Sequence, residues 1–188
     1  MISVIVVYND VRILNEWLLE SLKNQSADYE LIALDNRKGD FPSAANAYNY
    51  GGLRARGDYL MFVHQDVRLL GNTWIEEAER ILRNLPKLGA AGVAGKRCDI
   101  RGVITNAIHG VPPRPAGQIR ISKPVKVQTL DPLLIIVPRK VFQRLKYDEH
   151  TCNGWHLYSI PRITASPYKG RGSTVMCYHF PFIIGQQV

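Results

Sequence analysis

Apolar residues recur in short blocks whose spacing alternates between strand-like and helix-like. Residues 2–7 form an unbroken, β-branched-rich run, the pattern of a strand covered on both faces. Tyr8, Asn9 and Asp10 close it, and Asn9 or Asp10 is placed to cap the helix that follows. Leu14, Trp17, Leu18 and Leu22 then fall on one helical stripe. Residues 30–34 read as a second strand, ended by Asp35 and Asn36. Strand, helix and strand in this order predict a right-handed βαβ unit opening a parallel sheet.

After a turn-rich loop at 38–42, residues 43–56 predict a helix dominated by Ala and Gly, able to approach a sheet or ligand closely. Residues 60–63 (LMFV) predict a buried strand that turns abruptly polar at His64, Gln65 and Asp66. Thr73 and Glu76 have capping-box spacing ahead of an amphipathic helix carrying Trp74, Ile75, Ala78, Ile81, Leu82 and Leu85, which Pro86 ends. Residues 89–94 predict a further strand. Residues 98–126, rich in Pro and Gly with little periodicity, predict a long functional or mobile loop. Residues 127–137 predict a strand interrupted at Asp131 and Pro132, with Pro138 at the first position of a short helix through Leu145.

Composition narrows the class. With 188 residues, 46% hydrophobic and 21% charged, the chain is expected to be one globular domain. The net charge is +8 and the pI about 9.5, but the 24 basic residues are scattered and form no block of five or six. Such a chain suits phosphorylated donors better than nucleic acid, which is not expected as a partner. Cys98, Cys152 and Cys177 lack CxxC spacing, fitting a reducing compartment and no structural zinc. The first ten residues lack the basic region and cleavage site of a signal peptide. There is no apolar run of membrane-spanning length. No P-loop, GxGxxG, HExxH or nucleophile elbow occurs.

The polar punctuation supplies the candidate chemistry. A buried strand ending in Asp66, with His64 two positions earlier, presents two ligands to a hard cation; the imidazole favours Mn2+ over Mg2+. The duller reading has Asp66 capping a loop and His64 packed. Asp35 and Asn36, at the end of the second strand, suit a nucleobase or ribose, or an Asx-turn of their own. Asn46 and Asn49 lie on adjoining positions of one helix face. Asp148, Glu149 and His156 offer acid–base groups, or else a solvated acidic turn before an aromatic helix. His179, on a late apolar run, reads by itself as a core histidine.

The ordered segments ISVIVVYND, LIALDN, SAANAYNYGGLRARGDYLMFVHQDV, QTLDPLLIIVPRKVF and YDEHTCNGWHLYSI resemble the family 2 glycosyltransferases, in particular those with an HQD variant of the Asp-x-Asp motif. The resemblance covers roughly residues 2–159. It implies a GT-A-like, Rossmann-type α/β/α sandwich with a mostly parallel central sheet. The donor half would take about residues 1–95 and the acceptor side about 96–188. It implies that Tyr8, Asn9, Asp10, Asp35, Asn36, Asn46, His64 and Gln65 serve the nucleotide. Asp66 and His179 would bind Mn2+ or Mg2+, and Asp148, Glu149 and His156 would stand at the catalytic side. The implied reaction is inverting transfer from a nucleotide sugar, UDP-linked by analogy, to a glycan or lipid-linked hydroxyl. Cytoplasmic location, with peripheral contact at the membrane face, follows from the same analogy. One departure concerns catalysis. Relatives carry an aspartate where this chain has Pro161, and residues 160–188 leave the pattern. An alternative is therefore a catalytically impaired nucleotide-sugar-binding domain; a third is a basic domain for nucleic-acid or membrane surfaces.

Overall fold

The computed structural model describes residues 1–150, 154–155, 174–177 and 182–184. Strand β1 (Ile2–Tyr8) leads into a helical run over 11–23, and β2 (Tyr29–Asp35) follows. A helix at Ala44–Arg54 precedes β3 (Tyr59–His64) and β4 (Val67–Leu69), and a helix at Trp74–Arg83 precedes β5 (Leu88–Gly92) and β6 (Ala94–Lys96). Then come β7 (Ile104–Thr105), β8 (Ala107–His109), β9 (Arg114–Pro115), β10 (Val125–Lys126), β11 (Thr129–Leu130) and β12 (Leu134–Pro138). A short helix at Arg139–Phe142 and the strands β13 (Thr174–Cys177) and β14 (Phe182–Ile184) complete the described elements.

The seven-stranded sheet has the order β10-β13-β5-β12-β3-β1-β2. Strands β1, β2, β3, β5 and β13 run one way, and β12 and β10 run against them. The predicted α/β class with a mostly parallel sheet is therefore present.

Alternation along the central strands builds two cores. Val4, Val6, Met61, Val63, Leu134 and Ile136 face one layer, together with Leu14, Leu18 and Leu22 of the first helix and Trp74, Ile75, Ala78 and Leu82. Ile5, Leu60, Phe62, Ile135 and Val137 face the other, with Ala44, Ala45, Ala47 and Tyr48 of the small-residue helix and Phe142. Period-two alternation between two covered faces explains why these strands read as unbroken apolar runs.

The small residues of the helix Ala44–Arg54 have a packing reason. A Cβ on Gly51 would fall 2.7 Å from Ile5 Cγ2, and one on Gly52 would fall 2.5 Å from the Phe142 ring. Of the two candidate caps for the first helix, Asp10 is the one used, accepting from Arg12 N at 2.8 Å and Ile13 N at 3.1 Å. That helix contains a π-helical turn at Asn15–Leu19, which periodicity did not announce.

Four local expectations are corrected. The capping box at Thr73 does not form: Thr73 donates to Glu77, Glu76 accepts from Ser26, and Ile75 N finds Gln25 Oε1 at 3.0 Å. Gln25 comes from the end of the first helix, so a tertiary contact replaces the local cap. The supposed loop 98–126 holds β7 to β10, strands too short to show a period. It is ordered by side chains such as the buried Asn106, which donates to Ile121 O at 2.7 Å and accepts from Ile121 N at 3.1 Å. The predicted strands 89–94 and 127–137 each divide between two sheets, because β6, β7 and β11 form a three-stranded sheet of their own. Pro138 lies in β12, ahead of the short helix rather than inside it.

Candidate functional site

Parallel pairing places the carboxyl ends of three strands side by side. Tyr8 of β1 lies opposite Asp35 of β2, and Val7 lies opposite His64 of β3. In open α/β sheets, crevices at these strand ends are where ligands bind. A cavity of about 510 Å³ opens here, lined by Val7, Tyr8, Asn9, Asn36, Ala44, Tyr48, His64, Gln65, Asp66 and Trp155.

Asp66 occupies the turn between β3 and β4. The main sheet ends at His64, and the chain re-enters a second, four-stranded sheet at Val67, where β4 pairs with β14. This double anchoring holds the turn. Burial pushes the Asp66 carboxyl up from its ordinary range, while the neighbouring His64 and a backbone hydrogen bond oppose the shift. A half-desolvated carboxylate is disfavoured in its charged form until a cation arrives. Tyr48 closes the wall beneath: its hydroxyl donates to Val63 O at 3.3 Å, and burial, then the charge of Asp66, push its pKa up.

Gln65 points back into the protein. Its Oε1 accepts from Asn9 N at 3.0 Å and Asp10 N at 3.1 Å, and its Nε2 donates to Asn9 Oδ1 at 2.7 Å. It thereby ties the loop after β1 to the turn after β3 and shapes the cavity from behind.

The remaining sequence-nominated residues divide. Tyr8, Asn9, Asn36, His64, Gln65 and Asp66 come together around the cavity. Asp35 stands just outside, gripped by Arg37: the guanidinium Nη2 donates to Oδ2 at 2.6 Å and the Arg37 backbone N donates to Oδ1 at 3.0 Å. These Arg37 contacts, with help from Tyr8, hold its carboxyl well below the usual range. Asn36 Oδ1 accepts from Phe41 N at 2.8 Å. Asp10 is occupied as the helix cap. Asn46 meets not the cavity but Glu149, donating to Oε2 at 2.8 Å. Asp148 accepts from His150 N at 3.0 Å. His156, His179 and Pro161 lie outside the described residues. Among the described residues no group of three or more His, Cys, Asp or Glu converges, so Asp66 and His64 are the donors present in the cavity.

Tyr48 and Trp155 line the cavity without having been singled out from the sequence. For Tyr48 the available signal was one aromatic amid small residues on a helix. Trp155 needed the chain to return from β12, which no local pattern encodes.

The layered mixed sheet, with a crevice at the ends of β1 and β3 and a carboxylate on the turn after a buried strand, defines a GT-A-type glycosyltransferase fold. Solved structures agree. A mannosyltransferase from Pyrobaculum calidifontis, in complex with GDP-Man and Mn2+, matches with a TM-score of 0.65 and 14% identity over 97% of this chain and 56% of its own. S. aureus TarS 1-349, in complex with UDP-GlcNAc, matches at 0.63 with 15% identity over 100% of this chain and 59% of its own. GalNAc-T7 with UDP, GalNAc and Mn2+ matches at 0.70 with 10% identity, over 100% and 44%. At such identities the likeness concerns the fold, and the chain spans about half the length of these proteins. No curated protein matches the sequence. A family profile does, across residues 3–180: the chain belongs to the glycosyltransferase-like family.

Proposed function

We propose that this chain carries out metal-dependent transfer of a sugar from a nucleoside diphosphate sugar. The observation that carries the reading is Asp66, a half-buried carboxylate beside His64 on the wall of a cavity at the carboxyl end of the sheet. The residues present suit a divalent cation: a hard carboxylate oxygen and an imidazole share one cavity, and burial raises the free-energy cost of leaving Asp66 charged alone. Asp66 and His64 would hold Mn2+ or Mg2+, with diphosphate oxygens completing the shell. When bound, such a cation supplies charge neutralisation for the departing diphosphate. Tyr8, Asn9 and Asn36 offer contacts for the nucleoside, and Gln65 keeps the loop of Asn9 in place.

The finer reading is a UDP-sugar donor, inversion by single displacement, and a glycan or lipid-linked hydroxyl as acceptor. It draws on the motif order and on the UDP-containing relatives. A cytoplasmic site with peripheral contact at an anionic membrane face accords with the net charge of +8.

The test is thermal stabilisation by UDP and GDP with and without Mn2+, in the native protein and in Asp66→Ala. Stabilisation that requires the metal and vanishes in D66A is expected. A native protein that ignores both nucleotides in the presence of Mn2+ sinks the proposal. A panel of nucleotide sugars then identifies the donor through hydrolysis or transfer.

A further inference from the structure

The helix Ala44–Arg54 touches two things at once. Towards the cavity it presents Ala44 and Tyr48. On adjoining positions it presents Asn46 and Asn49, which grip the chain beyond residue 146. Asn49, buried, accepts from Tyr147 N at 3.0 Å and donates to Tyr147 O at 3.0 Å and to Glu149 Oε1 at 2.7 Å. Asn46 donates to Glu149 Oε2 at 2.8 Å. At the amino end of the same helix, Ala44 N donates to Gly154 O at 3.2 Å, and the next residue, Trp155, lines the cavity.

Tyr147, Glu149 and Gly154 are thus each attached to one helix. The helix itself has no room to slide, since Gly51 and Gly52 lie against Ile5 and Phe142. Glu149 is poorly arranged to take a proton. Both of its oxygens already accept from amides, and those two hydrogen bonds pull its pKa down against the opposing effect of burial. A general base works best with a proton affinity near the working pH and a lone pair open to its substrate.

We propose that Glu149 is a positioning residue: through Asn46 and Asn49 it clasps residues 147–149 to the same helix that holds Gly154, and so sets Trp155 as a wall of the cavity that contains Asp66. Its effect on transfer rests on the function proposed above; the clasp itself does not.

The experiment uses the full chain with Glu149→Gln, Asn46→Asp, the pair N46D/E149Q, and Trp155→Phe as a spectral reference. In E149Q one acceptor oxygen becomes an NH2 group, so both asparagine bonds survive only if the Asn46 amide turns over, and the negative charge that strengthens them is lost. In the pair the polarity is reversed, so a carboxylate at 46 accepts from the amide at 149. Two quantities are read: the emission and acrylamide quenching of Trp155, taken as the difference from W155F, and the pH profile of nucleotide-sugar turnover with Mn2+.

Trp155 is already 47% exposed in the native protein, so E149Q should shift its emission and raise its quenching further, and lower turnover roughly ten- to a hundredfold through misplacement, leaving the acid limb of the profile in place. N46D/E149Q should restore the Trp155 signal and recover most of the turnover, because the two sites are coupled. The proposal is overturned if Trp155 is unchanged in both E149Q and Asn46→Ala, the second of which no amide rotation can compensate. It is equally overturned if the acid limb disappears with E149Q and the pair remains as inactive as the single variant. Should E149Q fail to fold, Asn46→Ala leaves the carboxylate intact and must still loosen Trp155; a native-like Trp155 there also overturns the proposal. A native protein that turns over no nucleotide sugar defeats the proposed function, while Trp155 emission still decides the clasp.

Discussion

Glu30 is the second residue of β2, whose far end carries Asp35, and it is held by three hydrogen bonds. Its carboxylate accepts from Ser3 Oγ at 2.6 Å, from Arg56 N at 2.7 Å and from Arg56 Nε at 2.7 Å. Burial would raise its pKa, but these bonds prevail and bring it from the ordinary 4.5 down to about 2. A carboxyl whose folded pKa is depressed stabilises the fold fully above its unfolded value and loses that contribution as pH falls through the folded one. Glu30→Gln should therefore lose about 1–2 kcal/mol at neutral pH by urea denaturation. The gap from the native protein should narrow as pH falls from about 4.5 to about 2. A gap that stays constant to pH 3 would refute the linkage. Asp66 is displaced the other way by burial. Cation binding needs its ionised form, so Mn2+-dependent nucleotide affinity should begin to fall at a less acidic pH than an ordinary carboxylate would impose. Titration calorimetry with UDP and Mn2+ across pH checks this. Gln65→Leu, which removes three hydrogen bonds behind the cavity, should weaken nucleotide binding roughly tenfold, as displaced positioning loops do, without touching a metal donor.

At the scale of elements, the small-residue helix Ala44–Arg54 departs furthest from intrinsic preference. Two glycines in a helix interior are unfavourable by roughly 1 kcal/mol each relative to Ala. Gly52→Ala would recover that preference, yet its methyl would sit 2.5 Å from the Phe142 ring, itself 1% exposed. Overpacking of this kind costs about 1–3 kcal/mol, so the net effect should be destabilising and lower Tm by a few degrees. Calorimetry on G52A decides the sign; a rise in Tm would mean the ring moves aside. Part of this helix was legible in the sequence. The composition of residues 43–56 announced close approach, but nothing local told what Asn46 and Asn49 would meet, because their partners lie about a hundred residues away. The Thr73–Glu76 spacing misled for a related reason. A local cap competes with tertiary donors and acceptors, and Gln25 and Ser26 arrived first.

Across the whole molecule, β1, β3 and β12 lie inside the main sheet with both faces covered, whereas β7, β8 and β9 are two or three residues long. Amide exchange should accordingly leave β1, β3 and β12 protected up to global unfolding, while the 98–126 region opens first. Equal protection in both would contradict the two-core description. Alternation, runs and polar punctuation were enough by themselves to determine the α/β class, the order of the early elements, and the delivery of Asp66 and His64 to the end of a buried strand, because period and burial are encoded locally. Only the tertiary structure decided that Gln65 turns inward to hold Asn9, that Arg37 occupies Asp35, that strands divide between sheets, and that Glu149 meets two asparagines. Each of these depends on which distant group arrives within hydrogen-bonding reach, and a polar side chain carries no periodic mark of its partner.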